Sequence, residues 1–340
     1  MGTRVCITID TEYSIAGAFS NPALQPLADP IVWCNVAGRS EGLGFLLECF
    51  AEHRIPATFF VEALHRFYFK DDPMRPTVRH IEDLGHELQL HAHPCWSVFQ
   101  HADWRERVRQ QPRQDDFFGR SEDDSVRLIE QGIDTFRDWG LARPTVFRSG
   151  SLQHDDRLYR ALARAGIPYS SNVGLAIFDS GDPGYALYSG THVRHGVVEC
   201  PVLTYSDWNV GGRHHLKSLT IAGTSFAETR TLLDKAERAG IALVVILTHP
   251  FEYIQSRDIG RAPARRHSVN QRRLASLCKY LDQNRDRFIP SGLAAAAATA
   301  AQSESGNLLL KGALWQSVRR MATQVTYEQY GNWALHRAAA

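Results

Sequence analysis

Two histidines at the end of one predicted strand are the clearest candidates for a chemical function in this chain. Residues 85–93 have the pattern of a short strand, and Pro94 ends it because proline has no N–H for a sheet ladder. Side chains two positions apart on a strand point the same way, so His91 and His93 can converge on a single metal ion. A polar strand end whose histidines only form local hydrogen bonds is the alternative that this segment leaves open.

A pair of carboxylates follows the first predicted strand. Val5–Ile9 is an apolar, β-branched run that suits a buried strand, and Asp10 and Glu12 come directly after it. The two carboxylates share a direction, and carboxylate oxygen combines with imidazole nitrogen around hard or borderline cations. A helix N-cap with an acidic first turn explains the same residues equally well.

Two further apolar runs end in ionisable residues. Residues 145–150 place Arg148 and a glycine at the end of a short strand, and residues 242–250 end in His249 and a proline. A hydrophobic core has no use for such groups, whereas a site built on the carboxyl ends of parallel strands does. The four strand ends together therefore predict one site.

Strands and helices alternate along the chain, which predicts parallel pairing through right-handed crossovers. We expect an α/β fold, an incomplete or distorted barrel of about seven parallel strands. The other predicted strands are Ala57–Val61, Tyr169–Asn172 and Val197–Leu203, and the strand that leads to His249 is Leu243–Leu247. The predicted helices are Ser40–His53 with Ser40 as N-cap, Arg75–Leu84, Asp123–Trp139, Asp156–Ala165, Phe226–Ala239, Val269–Asn284 and Leu293–Ala301.

Composition excludes several classes of protein. The 340 residues, 44% of them hydrophobic, suffice for one barrel with insertions. A formal net charge of +1 argues against a nucleic-acid partner. Neither a signal-peptide pattern nor an apolar stretch long enough to span a bilayer is found, and the six cysteines lack Cys-x-x-Cys spacing. These features predict a cytoplasmic protein with reduced thiols.

The order of the four motifs, from the Asp/Glu pair to Leu-Thr-His-Pro, resembles the NodB-homology polysaccharide deacetylases, also called carbohydrate esterase family 4. The resemblance covers Val5 to Ala300 and is strongest to the cytoplasmic branch of lipopolysaccharide and surface-glycan biosynthesis, sometimes labelled WalW-like. It implies a NodB-like barrel. It also implies a metal-dependent hydrolase that removes an N-acetyl group from an amino sugar in a surface-polysaccharide or lipopolysaccharide precursor.

The resemblance also implies a role for each site residue. Glu12, His91 and His93 would hold a divalent metal, most readily zinc, with open positions for water and the acetyl oxygen. Asp10 would be the general base, and Arg148 would hold it as an oriented carboxylate. His249 would protonate the departing nitrogen.

The sequence departs from the family pattern at two positions. Thr11 stands where the second, metal-binding Asp is usual, which transfers that role to Glu12. Cys95 stands where the second histidine of His-x-x-x-His is usual; because it follows Pro94, off the strand, His93 is the preferred ligand. These departures leave open a non-catalytic carbohydrate-binding protein with a decayed site, and the shared fold leaves open an allantoinase-like amide hydrolase.

An arginine-rich loop follows the strand that delivers His249, and we expect it at the mouth of the site. Arg265 and Arg266 are the predicted substrate-binding residues, because guanidinium groups bind phosphate oxygens in pairs. The substrate would then be an N-acetylated sugar or glycan intermediate on a nucleotide or lipid diphosphate. A solvated loop without a ligand is the alternative. The cationic residues of the segment are Arg257, Arg261, Arg265, Arg266, His267, Arg272 and Arg273.

Two segments interrupt the alternation of strands and helices. Residues 97–124 follow the histidine motif and are interpreted as a solvated surface insertion, with a lid as the alternative. We predict a barrel domain over residues 1–302, and a linker with a C-terminal amphipathic tail over residues 303–340. The tail is expected to dock on the barrel, with a peripheral membrane contact as the alternative. Its apolar residues are Leu310, Leu314, Trp315, Val318, Met321, Ala322 and Val325.

Overall fold

The computed structural model describes residues 2–210, 213–301 and 306–339. The predicted domain boundary at 302/303 and residues 303–305 of the predicted linker lie outside these ranges. The strands are β1 Thr3–Thr11, β2 Asn35–Val36, β3 Arg39–Ser40, β4 Thr58–Glu62, β5 Glu87–Ala92, β6 Val146–Ser149, β7 Tyr169–Ser170, β8 His192–Arg194, β9 Val197–Glu199, β10 Thr204–Val210, β11 Arg213–Ser218, β12 Leu243–Thr248, β13 Ile254–Ser256, β14 Ala264–Arg266, β15 Phe288–Pro290 and β16 Leu310–Lys311. The helices are α1 Asp29–Val32, α2 Leu43–His53, α3 Met74–Asp83, α4 Trp104–Gln110, α5 Glu122–Trp139, α6 Asp156–Arg164, α7 Phe226–Arg238, α8 Ser268–Gln283, α9 Leu293–Ala300 and α10 Leu314–Ala339.

The main sheet curls into an incomplete barrel. Its strand order is β12-β1-β4-β5-β6-β7-β9-β8, and β15 also pairs with β1. These pairings are parallel except between β8 and β9. Isolated bridges join Val202 to Val245 and Thr220 to Leu247. Segments that follow β9 in the chain therefore lie beside β12, which is at the other end of the strand order. The predicted α/β class with an incomplete barrel is therefore confirmed.

The alternation of side chains along β1 separates an outer and an inner core. Val5, Ile7 and Ile9 pack in the large cluster with the surrounding helices. Cys6 belongs to the inner cluster, and Thr8 and Asp10 follow it at the same period of two. The inner face of β1 thus changes from apolar to polar toward its carboxyl end, where the site lies.

Helix α9 closes the opposite end of the barrel. Leu293 and three alanines of this helix pack into the inner cluster. Its first turn is fastened to the beginnings of two strands, because Leu293 N donates to Thr58 Oγ1 at 2.8 Å and Ala294 N donates to Glu87. Alanine allows the helix to approach the strand ends closely while retaining high helix propensity. The end that carries the polar residues consequently stays open.

The predicted helices lie within one or two residues of the observed bounds, except for the start of α2. This helix begins at Leu43 with Gly42 as N-cap, so the prediction that Ser40 is the N-cap was wrong. Ser40 pairs in β3 instead, although its hydroxyl still accepts a hydrogen bond from Gly44 N at 2.9 Å. The helix begins later than the periodicity predicts because Ser40 forms part of the β2–β3 hairpin.

A second sheet, which the sequence analysis did not predict, follows β9. Strands β10 and β11 form an antiparallel hairpin, and β16 adds to β10 in parallel. Residues 204–210 and 213–218 surround a Gly-Gly pair, which is a recognised hairpin pattern. The expected strand Val197–Leu203 is correspondingly shorter and ends at Glu199.

The C-terminal helix α10 packs on α7 and β10 through its polar side, so the expectation that its apolar residues dock on the barrel was wrong for most of them. Leu310 is buried, but Leu314, Trp315 and Val318 are exposed. No helix among the described residues is long and apolar enough to cross a membrane. The six cysteines are buried and unpaired.

Candidate functional site

The predicted site residues come together at the carboxyl ends of neighbouring strands. Asp10 is next to last in β1, and the strand after next, β5, contributes His91. His91 is in register with Arg148 of β6, and β12 ends one residue before His249. The shared edge of the parallel strands, rather than proximity in sequence, places these side chains together.

Glu12, His91 and His93 form a set that can hold a metal ion. One ligand atom from each lies within 4.8 Å of the others. Glu12 Oε2 is 3.3 Å from His91 Nε2 and 2.8 Å from His93 Nε2. Burial would raise the pKa of Glu12, but the charge of His93 and hydrogen bonds from both histidines hold it well below its usual value. One carboxylate and two imidazoles match the ligand types of divalent zinc.

Partners of the opposite ring nitrogens aim both histidines at this set. His91 Nδ1 lies 2.9 Å from the carbonyl oxygen of Arg148, an acceptor, so Nδ1 carries the proton and Nε2 is free to bind. His93 Nδ1 lies 3.0 Å from Asp115 Oδ2 and can donate to it. Such partners fix the tautomer and orientation of metal-binding histidines. The donor set therefore fits a divalent ion.

Asp115 is a functional candidate that the sequence analysis missed. It also accepts a hydrogen bond from Cys95 N and pairs with Arg113. Burial would raise its pKa, but the hydrogen bond from His93 and the charges of His93 and Arg113 lower it to about 2. It belongs to the insertion 97–124, which contributes the buried side chains of Trp104, Val108 and Phe117. The interpretation of this insertion as merely solvated was wrong.

Glu62, the second missed residue, ends β4 between β1 and β5. Its carboxylate is fully buried and accepts hydrogen bonds from the backbone N–H groups of Leu64 and His93. Burial raises the pKa of Glu62 to about 7, although the charges of His93 and His91 oppose the shift. An ionisable residue at a strand end was the pattern used for the other strands. It was overlooked here because the predicted strand stopped at Val61.

Asp10 and Arg148 form a buried ion pair beside the metal-binding set. Arg148 Nη1 donates to Asp10 Oδ1 at 2.7 Å and to Thr8 Oγ1 at 2.9 Å. The other side of the guanidinium donates to the carbonyl and hydroxyl oxygens of Ser171. Its central carbon lies 4.1 Å from the centre of the Phe60 ring. The second oxygen of Asp10 remains directed toward His249, whose Nε2 is 3.8 Å away.

His249 is held by a carboxylate on its far side. Its Nδ1 is 3.0 Å from Glu252 Oε1, and the other oxygen of Glu252 accepts from Thr248 Oγ1 at 2.7 Å. Burial alone would lower the pKa of His249, but the hydrogen bond to Glu252 and the charges of Glu252 and Asp10 raise it to about 9. His249 thus carries a proton at neutral pH and presents Nε2 to the site.

Cys95 lies on the other side of His93 from Glu12. It forms a second possible metal group with His93 and Asp115, separate from Glu12 and His91. Burial raises the pKa of the Cys95 thiol well above its usual value, and the charge of Asp115 adds to the effect. A protonated thiol is a poor ligand compared with a thiolate. The geometry therefore favours His93 over Cys95 as the partner of His91.

A groove of about 610 Å³ opens above the metal-binding set. Glu12 and His93 lie on its wall, together with Trp96, Phe251 and several aliphatic side chains. The cations that line it are Arg113, Arg257 and Arg261. Arg261 is engaged by the carbonyl oxygens of Ala16 and Gln25, whereas Arg257 is exposed and forms no ion pair with a described residue.

Arg265 and Arg266 are placed away from this wall. Both belong to β14, which pairs with β13. The Arg265 guanidinium binds Gln255 Oε1 and lies 5.0 Å from the centre of the Tyr327 ring. Arg266 is exposed, and its carbonyl oxygen accepts from the Tyr327 hydroxyl. Their role in substrate binding remains a prediction, and Arg257 is the arginine of the same segment that borders the groove.

Comparison with known proteins supports the fold. The sequence matches no family profile and no curated protein. A Mycobacterium smegmatis structure with a provisional designation as a polysaccharide deacetylase superposes with a TM-score of 0.51 at 18% identity, over 91% of this chain and 94% of that one. A family 4 carbohydrate esterase from Streptomyces lividans and a peptidoglycan deacetylase from Bacillus subtilis cover 84% and 88% of this chain, at 12% and 13% identity, with TM-scores of 0.39. The similarity to the Mycobacterium smegmatis structure shows that the chain has a NodB-like fold, as the sequence predicted.

We predict that the purified protein binds about one divalent ion, most readily zinc, when it is loaded after chelation. His91→Ala and His93→Ala should each lose it, because removing one of three protein ligands leaves an incomplete site. Asp115→Asn should bind about 10–100-fold more weakly, since it removes the negative charge of the partner that orients His93. Metal content by mass spectrometry and competition with a chelator measure these effects.

Cys95→Ser is the matched control and should retain the ion. If both histidine variants keep full metal, the ligand set is wrong. If Cys95→Ser loses metal while His93→Ala does not, Cys95 rather than His93 is the partner of Glu12 and His91.

Proposed function

We propose that this protein is a metal-dependent hydrolase that removes an N-acetyl group from an amino sugar in a surface-polysaccharide or lipopolysaccharide precursor. The observation that carries the proposal is the position of a base candidate and an acid candidate beside one metal-binding set. Asp10, paired with Arg148, lies 3.8 Å from the protonated His249. Amide hydrolysis needs both groups, because water must lose a proton and the leaving amine must gain one.

The metal-binding set, Asp10 and Arg148 have separate roles in activating the water. When bound by Glu12, His91 and His93, a divalent ion supplies Lewis acidity toward water and toward an amide carbonyl. Asp10 accepts the proton of the attacking water at Oδ2, because Oδ1 is occupied by the Arg148 guanidinium. Arg148 fixes the carboxylate in place and supplies its counter-charge.

His249 completes the reaction by giving its Nε2 proton to the departing nitrogen. Glu252 binds the opposite nitrogen, so the imidazolium keeps one orientation throughout. Phe251 stacks on the His249 ring, with ring centres 4.9 Å apart, and lines the groove.

The groove supports an N-acetylated sugar that carries an anionic group. Its wall combines aromatic and aliphatic side chains, which can contact a sugar ring, with the exposed Arg257, which can bind a phosphate. A precursor linked to a nucleotide or lipid diphosphate offers both features, and such precursors are made in the cytoplasm. Release of acetate from a panel of N-acetylated sugars, beside cyclic amides, tests the proposal against an allantoinase-like activity and a non-catalytic protein.

We expect Asp10→Asn to retain the metal ion but to lose about 10²–10⁴-fold in turnover, the usual contribution of a positioned general base. Acetate release by the metal-loaded enzyme measures the loss. Thr8→Val is the matched control: it removes a neutral hydrogen bond to the same guanidinium and should change turnover little. Undiminished turnover in Asp10→Asn would remove Asp10 from the mechanism, and thermal unfolding of both variants separates loss of chemistry from loss of fold.

A pH profile tests His249 as the acid. Because its pKa is raised to about 9, turnover of the wild type should fall only above that pH, as the proton is lost. Glu252→Gln removes the charge that favours the protonated form, so the alkaline limb should move down by about one pH unit. His249→Ala should lower turnover about 10²–10⁴-fold, and less for substrates with better leaving groups.

His195→Ala is the control for the pH profile, since His195 pairs with Asp156 rather than with Glu252 or Asp10. Its alkaline limb should match that of the wild type. An unmoved limb in Glu252→Gln, or equal losses of His249→Ala on activated and unactivated amides, would assign the acid to another group.

The anionic handle is tested with matched N-acetylated sugars that carry or lack a diphosphate. We expect a higher kcat/KM for the phosphorylated sugar, and Arg257→Ala should remove about tenfold of that preference. The Arg265→Ala/Arg266→Ala double variant tests whether the two arginines that the sequence predicted as substrate-binding contribute to the same preference. If neither variant alters the preference, or no preference exists, a neutral oligosaccharide becomes the better substrate.

A further inference from the structure

Helix α10 is docked with its polar side toward the protein. Gln316, Ser317 and Arg320 are buried in the contact. Arg320 donates to Asp207 Oδ2 at 3.0 Å and to Glu228 Oε1 at 3.2 Å. Ser317 Oγ donates to the carbonyl oxygen of Asp207 at 3.1 Å. The contact thus depends on charge and hydrogen bonding.

The opposite face of this helix presents an apolar stripe to solvent. Its side chains recur at intervals of three and four residues, which is one face of a helix. The stripe consists of Leu314, Trp315, Val318, Met321 and Val325, exposed to 53%, 62%, 54%, 46% and 53%. Single exposed apolar residues are ordinary, whereas a contiguous stripe on a docked helix marks an interaction surface.

The stripe cannot be buried by rotating the helix in place. Rotation would withdraw Arg320 from Asp207 and Glu228, which are 2% and 1% exposed. Leaving these buried carboxylates without their cation is strongly destabilising, because a buried charge needs a partner. The ion pairs therefore hold the apolar residues outward.

The exposed charged residues nearest the stripe in sequence, on β16 and on the helix itself, are positive. Lys311 and Arg319 are exposed beside it, and the hairpin against which the helix packs carries the half-buried Lys217. Residues 208–218 and 306–327 contain neither aspartate nor glutamate. Such a surface complements an anionic partner.

The size of the stripe, over the side chains of α10 that the structure describes, argues against a second copy of the chain as its partner. From 314 to 325 it runs about 17 Å at 1.5 Å per residue. Five half-exposed side chains offer roughly 500 Å², below the ~800 Å² per partner of a standard interface. A helix with apolar residues including tryptophan on one side, and cations beside them, suits shallow insertion into a lipid surface.

We propose that α10 is a membrane-surface anchor, whose stripe enters the outer part of an anionic lipid bilayer while Lys311 and Arg319 contact its headgroups. The anchor holds the protein on the surface without a spanning segment. It uses none of the residues of the active site proposed above, so it stands or falls independently of the deacetylase activity.

Co-sedimentation of the full chain with vesicles tests the anchor. Binding is expected on phosphatidylcholine vesicles that contain phosphatidylglycerol, and weaker binding on phosphatidylcholine alone. Trp315→Asp/Val318→Asp should weaken binding to the anionic vesicles about tenfold or more, because charged groups do not enter the acyl region. Lys311→Ser/Arg319→Ser should weaken it about fivefold for each cation removed.

Val193→Asp, which changes a 63% exposed apolar residue on β8, is the control and should bind as the wild type does. Met321→Glu is a second stripe variant, and circular dichroism verifies that each variant is folded. The anchor is refuted if the wild type ignores anionic vesicles, or if stripe variants bind as it does. A dimer that the stripe variants dissociate, without vesicle binding, would also refute it and assign the stripe to a second copy.

Discussion

A buried ion pair between Arg148 and Asp10 is the interaction on which the site depends. The two residues belong to strands that are separated in the sheet by β4 and β5, so the guanidinium crosses the barrel interior, over the ring of Phe60. A charge in this position must be paired and hydrogen-bonded. Asp10, Thr8 and Ser171 supply those partners, and they thereby bind opposite walls of the barrel together.

The same residue links the fold to the chemistry. The backbone carbonyl of Arg148 accepts from His91, while its side chain orients Asp10. Behind it, residues 170–173 are fixed by Glu199, a buried carboxylate that accepts from Asn172 N and Val173 N and from the Ser170 hydroxyl. A displacement of β6 would therefore disturb both the base candidate and a candidate metal ligand. The stability of the barrel and the geometry of the site therefore depend on the same residue, Arg148.

The C-terminal region has the opposite distribution of buried and exposed side chains. In the barrel, apolar side chains fill the core and polar groups collect at one open end. Around α10, the buried groups include Asp207, Glu228 and Arg320, and the large apolar residues between 314 and 325 remain outside. Helical periodicity is identical in both arrangements, because it reports only that two faces differ. Which face is buried depends on the carboxylates offered by β10 and α7.

The sequence by itself determined the alternating α/β architecture and the strand ends that carry Asp10, His91, Arg148 and His249, because strand period and motif order are local properties. Tertiary structure alone decided that Asp115 supports His93, that Glu62 lies between β1 and β5, and that Arg257 rather than Arg265 borders the groove. Those residues act through partners distant in the chain, and no local period encodes such pairings. The outward turn of the α10 stripe was decided in the same way, by carboxylates about a hundred residues earlier in the sequence.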